Sequence, residues 1–161
     1  MAKAIFPGTF DPVHNGHLDI VERALRFFDS VVIAVAPSHT KGTLFTPEER
    51  IAMLEEETSH LKGVTVARFS GLLVDFARTQ GISVVIRGVR AVSDFDYEFS
   101  MALMNRKLSE GFETLLLIPS GRYIFLNATL IREVARFGGP TEGLVPDSVA
   151  RRLREKFASG A

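Results

Sequence analysis

A chain of 161 residues with 46% hydrophobic and 24% charged side chains has ordinary globular composition, which excludes a disordered or fibrous chain. Nineteen Lys and Arg balance nineteen Asp and Glu, so no global charge draws the chain to nucleic acid or an anionic membrane, and any anion site must be local. With no cysteine, disulfides, thiolate zinc, iron–sulfur clusters and thiol nucleophiles are excluded together.

The length fits a single domain over residues 1–161. Residues 1–8 are too short and too soon broken by Pro7-Gly8 to read as a signal peptide's apolar region. No apolar run approaches the roughly 18 residues of a membrane span, so the expectation is a soluble, cytoplasmic protein.

Short apolar runs predict strands at Lys3–Pro7, Ser30–Ala36, Val64–Phe69, Ser83–Arg87 and Thr114–Pro119. The second and fifth do not alternate polar with apolar, which predicts cover on both faces as in a parallel sheet.

Helical spacing separates the runs. Leu18, Val21, Leu25 and Phe28 recur at three- and four-residue steps, with Asn15 as the expected N-cap. Thr46-Pro-Glu-Glu49 reads as a capping box with proline at the first helical position, opening a helix to about His60. Further helices are expected over Leu72–Gln80, from near Ser93 to about Leu108, over Thr129–Phe137 before Gly138-Gly139, and over about 146–158, packing on the domain. Five strands each followed by a helix predict an α/β fold: a single-domain, doubly wound, Rossmann-like five-stranded parallel sheet with helices on both faces. Ligands bind such sheets beyond the carboxyl ends of the strands.

After the first strand come His14 and His17, three apart at the mouth of a helix, so both rings can face one side of its first turn. That turn is expected to offer free backbone N–H groups and the positive dipole end, and Gly16 to leave room for a ligand to approach. Imidazole donors there would make a phosphate site without a Walker sequence, which the chain lacks. A zinc pair is disfavoured by spacing and by the absence of cysteine. Lys41 follows the second strand as a mobile phosphate partner or an ordinary surface lysine. Arg87-Gly88-Val89-Arg90 closes the fourth as a planar-donor clamp, or as two arginines paired with nearby Asp94, Asp96 or Glu98. The stretch from Pro119 to Thr129 could hold a base and phosphates, or cap the next helix.

The H-x-G-H motif at His14–His17 resembles the nucleotidylyltransferase superfamily. Residues 7–12, 45–50, 85–98 and 130–136 extend the resemblance to bacterial phosphopantetheine adenylyltransferases over essentially the whole length. The resemblance implies adenylyl transfer from ATP to 4′-phosphopantetheine, giving dephospho-coenzyme A and pyrophosphate, with Mg²⁺. It implies ATP contacts from Thr9, Phe10, His17, Gly88, Val89, Arg90 and Glu98, and from the segment Tyr123, Ile124, Phe125, Leu126, Asn127, Ala128 and Thr129. Phosphopantetheine would be held by Thr9, Lys41, Leu73 and Arg87. A homohexamer and inhibition by coenzyme A are implied as well. Asn127-Ala128 departs from the serine or threonine hydroxyls common there, which removes one side-chain phosphate contact.

A cluster of donors with no nucleophile or strong base suits direct in-line attack on the α-phosphorus of ATP. His17, Lys41 and Arg90 are the expected catalytic groups, with the His17 ring serving a ligand rather than the fold. No dedicated magnesium cage is expected, and the ion would ride on phosphate oxygens and water. Rival readings are a transferase of the same superfamily using nicotinate mononucleotide or CTP, a non-catalytic nucleotide or flavin sensor, and a phospho-acceptor domain using Asp11.

Overall fold

Alternation along the first strand sorts its side chains: Ala4 and Phe6 enter one core and Ile5 the other. A computed structural model describes residues 1–37 and 42–160. Its strands are β1 (Lys3–Gly8), β2 (Ser30–Val35), β3 (Val64–Arg68), β4 (Val84–Gly88) and β5 (Glu113–Leu117). Its helices are α1 (Asn15–Ala24), α2 (Pro47–Thr58), α3 (Leu73–Thr79), α4 (Val92–Leu108), α5 (Ala128–Arg136) and α6 (Asp147–Ala158), with a 3₁₀ turn at Gly121–Tyr123 that the sequence did not announce.

All strand pairs are parallel, in the order β3-β2-β1-β4-β5. The chain winds outward from β1 to β3, then returns to place β4 on the free side of β1. The β1/β4 boundary is therefore the topological switch point, where a crevice opens at the carboxyl ends. One face of the sheet is covered by a core that takes Ile20 and Val21 of α1, Met53 and Leu54 of α2, and Val149 and Leu153 of α6. The opposite face packs Ile5, Ala34 and Val85 against Val74 and Ala77 of α3.

The Thr46–Glu49 capping box forms as expected. Three expectations are corrected. The N-cap of α1 is His14, not Asn15, whose backbone and side-chain amides instead donate to the Leu144 and Gly143 carbonyls at 3.0 and 2.9 Å. The helix ends at Ala24 rather than reaching Phe28, although Phe28 still packs on the core. Strand β5 is an edge strand and is not covered on both faces: Leu115 is 37% exposed, and Ile118 just beyond it 68%. Its neighbour α4 buries only Glu98 and Asn105 while exposing Phe95, Tyr97, Phe99, Leu103 and Met104. No helix among the described residues is long and apolar enough to cross a membrane.

Candidate functional site

The crevice at the switch point is a cavity of about 550 Å³ walled by the ends of β1 and β4, the first turn of α1, the loop after β5 and the start of α5. Thr9, Phe10, Arg87, Gly88, Arg90, Glu98, Tyr123, Asn127, Ala128 and Thr129 line it together with His14 and His17. Of the residues named from sequence, Val89, Ile124, Phe125, Leu126 and Leu73 do not line it, and Lys41 lies outside the described residues. Leu126 is buried, and its carbonyl accepts from Arg90 Nη1 at 2.6 Å. Leu73 packs against the α3-side core.

The two histidines form a reciprocal cap. His14 Nδ1 accepts from the backbone N–H of Gly16 at 3.1 Å and of His17 at 3.3 Å, while His17 Nδ1 accepts from His14 N–H at 3.1 Å. The rings stack with centroids 3.6 Å apart. An Nδ1 that accepts bears no proton, so each neutral ring carries its proton on Nε2. Burial, with Arg90 nearby, lowers the His14 pKa to about 4. His17 is also held well below the ordinary value, by burial and then by His14, Arg90 and Arg87. Both rings are neutral Nε2–H donors at pH 7.

One expectation about this turn fails. Its backbone N–H groups are not free: Asn15 donates to Leu144, Gly16 and His17 to the His14 ring, and Leu18 to the His14 carbonyl. Gly16 lines the cavity, and a Cβ there would also lie 3.0 Å from His14 Cε1 and Nδ1, so the glycine makes room for the capping ring as well. The turn therefore offers an anion its dipole and its imidazoles, not its amides.

Beneath the histidines, Phe10 adopts φ 52°, a left-handed conformation sparsely populated by bulky side chains. Its ring packs edge-on to His17 at 4.9 Å and to Phe6 at 5.5 Å. Gly8 is required below that ring, since a Cβ would come within 2.9 Å of Phe10 Cζ. Fully buried Arg50 of α2 donates to the Thr9 and Ala36 carbonyls at 2.6 and 3.0 Å, joining the ends of β1 and β2.

Three arginines line the cavity, and each has a carboxylate. Arg87 grips Glu98 through two bonds of 2.7 Å and donates its third edge to the Pro7 carbonyl. Arg90 holds Asp94 through Nε at 3.1 Å and Nη2 at 3.3 Å. Burial raises the Asp94 pKa, but hydrogen bonds and charge from Arg90 outweigh it and leave the carboxyl below its ordinary value. Arg132 of α5 stands 3.6 Å from the Asp11 carboxylate and donates from Nη1 to the Asp11 carbonyl at 2.5 Å. The described wall is thus cation–carboxylate paired, and the neutral histidines are donors that no carboxylate claims.

Asp11 is not available as a phospho-acceptor. Its carboxylate is buried and accepts the Leu44 and Phe45 amides at 2.8 and 2.9 Å, tying the loop before α2 to the β1 end. Asn127 caps α5 by accepting from Thr129 N–H at 2.8 Å, so the departure at 127–128 leaves the helix start intact. Sequence reasoning missed the structural role of His14, and missed Arg50 and Arg132. For Arg132 a signal existed: it stands three residues after Thr129, on the same face as the helix start. Arg50 carried none, since an arginine in an amphipathic helix reads as a solvated position.

A sequence profile described as cytidylyltransferase-like matches residues 5–134. The chain is 54% identical over 158 residues to the phosphopantetheine adenylyltransferase of Symbiobacterium thermophilum, covering 98% of both chains. It is 52% and 50% identical over 157 residues to the proteins of the same name from Thiobacillus denitrificans and Moorella thermoacetica, again covering 98% of each. Among solved structures it superposes with a TM-score of 0.71 on a candidate nicotinate-nucleotide adenylyltransferase from Vibrio parahaemolyticus, covering 100% of this chain and 98% of that one. At 18% identity that likeness speaks for the fold alone.

Proposed function

The chain belongs to the phosphopantetheine adenylyltransferase family, and from that membership we infer that it transfers the adenylyl group of ATP to 4′-phosphopantetheine, giving dephospho-coenzyme A and pyrophosphate. The observation that carries the chemistry is the reciprocal cap that fixes two neutral Nε2–H donors beside Arg87 and Arg90 at the switch point.

An oxygen of the phosphopantetheine phosphate attacks the α-phosphorus of ATP, the α–β bridging bond breaks, and pyrophosphate leaves with its electron pair. The attacking oxygen is already anionic, so no base is needed. The protein positions the reactants and stabilises the spreading charge. His17 donates through Nε2–H to the α-phosphate, and Arg90 serves the pyrophosphate side. Arg87 holds the acceptor's phosphate with Lys41, and Leu73 meets the pantetheine arm. Gly88, Glu98 and the segment from Tyr123 to Thr129 flank the nucleotide. Magnesium would be supplied as the counter-ion of ATP and would offset the charge of the departing pyrophosphate. Among the described residues no group of three His, Cys, Asp or Glu could hold a metal ion.

Coenzyme A carries both the pantetheine arm and the adenylyl group, so it fits the same cavity as a feedback inhibitor. The unpartnered apolar residues of α4 support self-association, here as a homohexamer. A cytoplasmic setting is the reading that ATP as substrate supports.

Pyrophosphate release from ATP and Mg²⁺ tests the assignment, with 4′-phosphopantetheine and nicotinate mononucleotide as separate acceptors. Release only with phosphopantetheine is expected. Release only with the mononucleotide would retain His17 and discard the acceptor roles of Arg87, Lys41 and Leu73.

A further inference from the structure

We propose that Asp19, outside the cavity wall, is a positioning residue that sets the nucleotide end of the site by fastening the loop after β5 to α1. Its carboxylate accepts the Ser120 N–H at 2.8 Å through Oδ2, the Ser120 hydroxyl through Oδ1, and Arg23 Nε at 2.9 Å. Arg23 closes the set by donating from Nη2 to Ser120 Oγ at 2.8 Å. Three polar groups from residues about a hundred positions apart are thus mutually satisfied, with the Asp19 side chain 11% exposed. Burial raises the Asp19 pKa, but the bonds from Ser120 and Arg23 prevail and hold the carboxyl below its ordinary value, so it is ionised at neutral pH.

What this cluster holds is functional. Ser120 immediately precedes the 3₁₀ turn Gly121–Tyr123, and Pro119 and Tyr123 on either side line the cavity. Tyr123 is the one lining aromatic among the described residues that is neither histidine nor buried, since Phe6 and Phe10 are both buried. The Arg122 guanidinium lies over a face of its ring, 4.7 Å from the centroid, and the partly buried ring packs on the main core, so the ring is held in place where it borders the cavity. Asp19 stands two residues after His17 on the same helix. One rigid element therefore carries the donor for the α-phosphate and the anchor for the Tyr123 side of the cavity, fixing the distance between the two. This rests on the adenylyltransferase reading only for which substrate lies on that side.

The test compares the intact enzyme with Asp19→Asn and Ser120→Ala. Its readouts are the KM for each substrate, the Kd of ATP by calorimetry, and the thermal midpoint. Displacing a supporting shell commonly costs a site about tenfold, so both variants are expected to weaken ATP by about that factor in KM and Kd. The KM for phosphopantetheine stays within about twofold, and the double variant is no worse than the poorer single one, as expected of groups in one network. Unchanged ATP affinity in Ser120→Ala would overturn the proposal. So would an equal rise in both KM values that follows a fall in thermal midpoint, which is the pattern of general loosening. If Asp19→Asn does not fold, Ser120→Ala alone decides. The calorimetric Kd still reads the proposal if phosphopantetheine is not the acceptor, which keeps its failure separate from failure of the functional assignment.

Discussion

His14 and His17 each accept the other's backbone N–H through Nδ1, with ring centroids 3.6 Å apart. This exchange makes the first turn of α1 and the catalytic donor one object. The cap orients the ring, the accepted bond assigns its tautomer, and burial keeps it neutral.

His17→Ala is expected to lower kcat by about 10²–10³-fold, the usual loss of about 2.7–4 kcal/mol for one preorganised donor. Because the ring also accepts the His14 N–H, the variant gives up about 1 kcal/mol of stability, as loss of a cap does. His17→Asn separates the two effects: its side-chain oxygen can replace Nδ1 as acceptor, but nothing replaces Nε2–H. Denaturant unfolding beside steady-state kinetics reads this. Near-normal turnover in His17→Asn would remove the ring from the reaction.

The capped pair makes stability depend on acid. The folded pKa of His14 is about 4, below its ordinary 6.5, so between these values the unfolded chain binds more protons and stability falls as pH falls. His17 shifts in the same direction. The contribution is complete above about pH 6.5 and is lost toward pH 4, on the order of 3 kcal/mol for His14 at 1.36 kcal/mol per unit. Thermal midpoints across that range should drop less steeply in His14→Asn, which keeps a capping oxygen and does not titrate. Parallel curves for the two proteins would mean that His14 is not held neutral.

Gly16→Ala should reduce turnover even though alanine favours a helix interior by about 1 kcal/mol over glycine. The added Cβ presses on His14 Cε1 and Nδ1 at 3.0 Å, displacing the ring that caps the turn and stacks on His17. A fall in kcat of about tenfold with a small change in stability is the expected result, since misplacement of a reacting group is costly even when folding is not. A variant as active as the parent would show that the His14 ring yields without moving His17.

Helix α4 exposes Tyr97 at 62%, Phe99 at 52% and Met104 at 55%, more apolar surface than a solvated helix ordinarily carries. Phe99→Glu combined with Met104→Glu should split the proposed assembly into smaller species in light scattering after gel filtration. The same mass for parent and variant would move the contact elsewhere.

The strands and helices were legible in the sequence because their signals are local. Apolar runs, the Thr46–Glu49 capping box and the Gly138-Gly139 stop each act within a few residues. The H-x-G-H motif located the first wall of the site for the same reason: its spacing puts two rings on one turn. What periodicity could not convey is which atoms the site's own residues would consume. The free amides expected at α1 are used by the His14 ring, whereas the pairing of the strand-four arginines with Glu98 and Asp94 is one of the two readings the sequence offered.

Tertiary structure alone decided the rest, because those contacts join residues distant in the chain. Asp11 meets Leu44 and Phe45, Asp19 meets Ser120, and Arg50 reaches Thr9. The exposed flank of β5 and α4 was likewise invisible, since an apolar run reads the same whether its cover comes from its own chain or from none. Composition and spacing determine the elements and the chemistry available. The partner each charge takes is set by the sheet order, which brings β4 beside β1 and so makes the site.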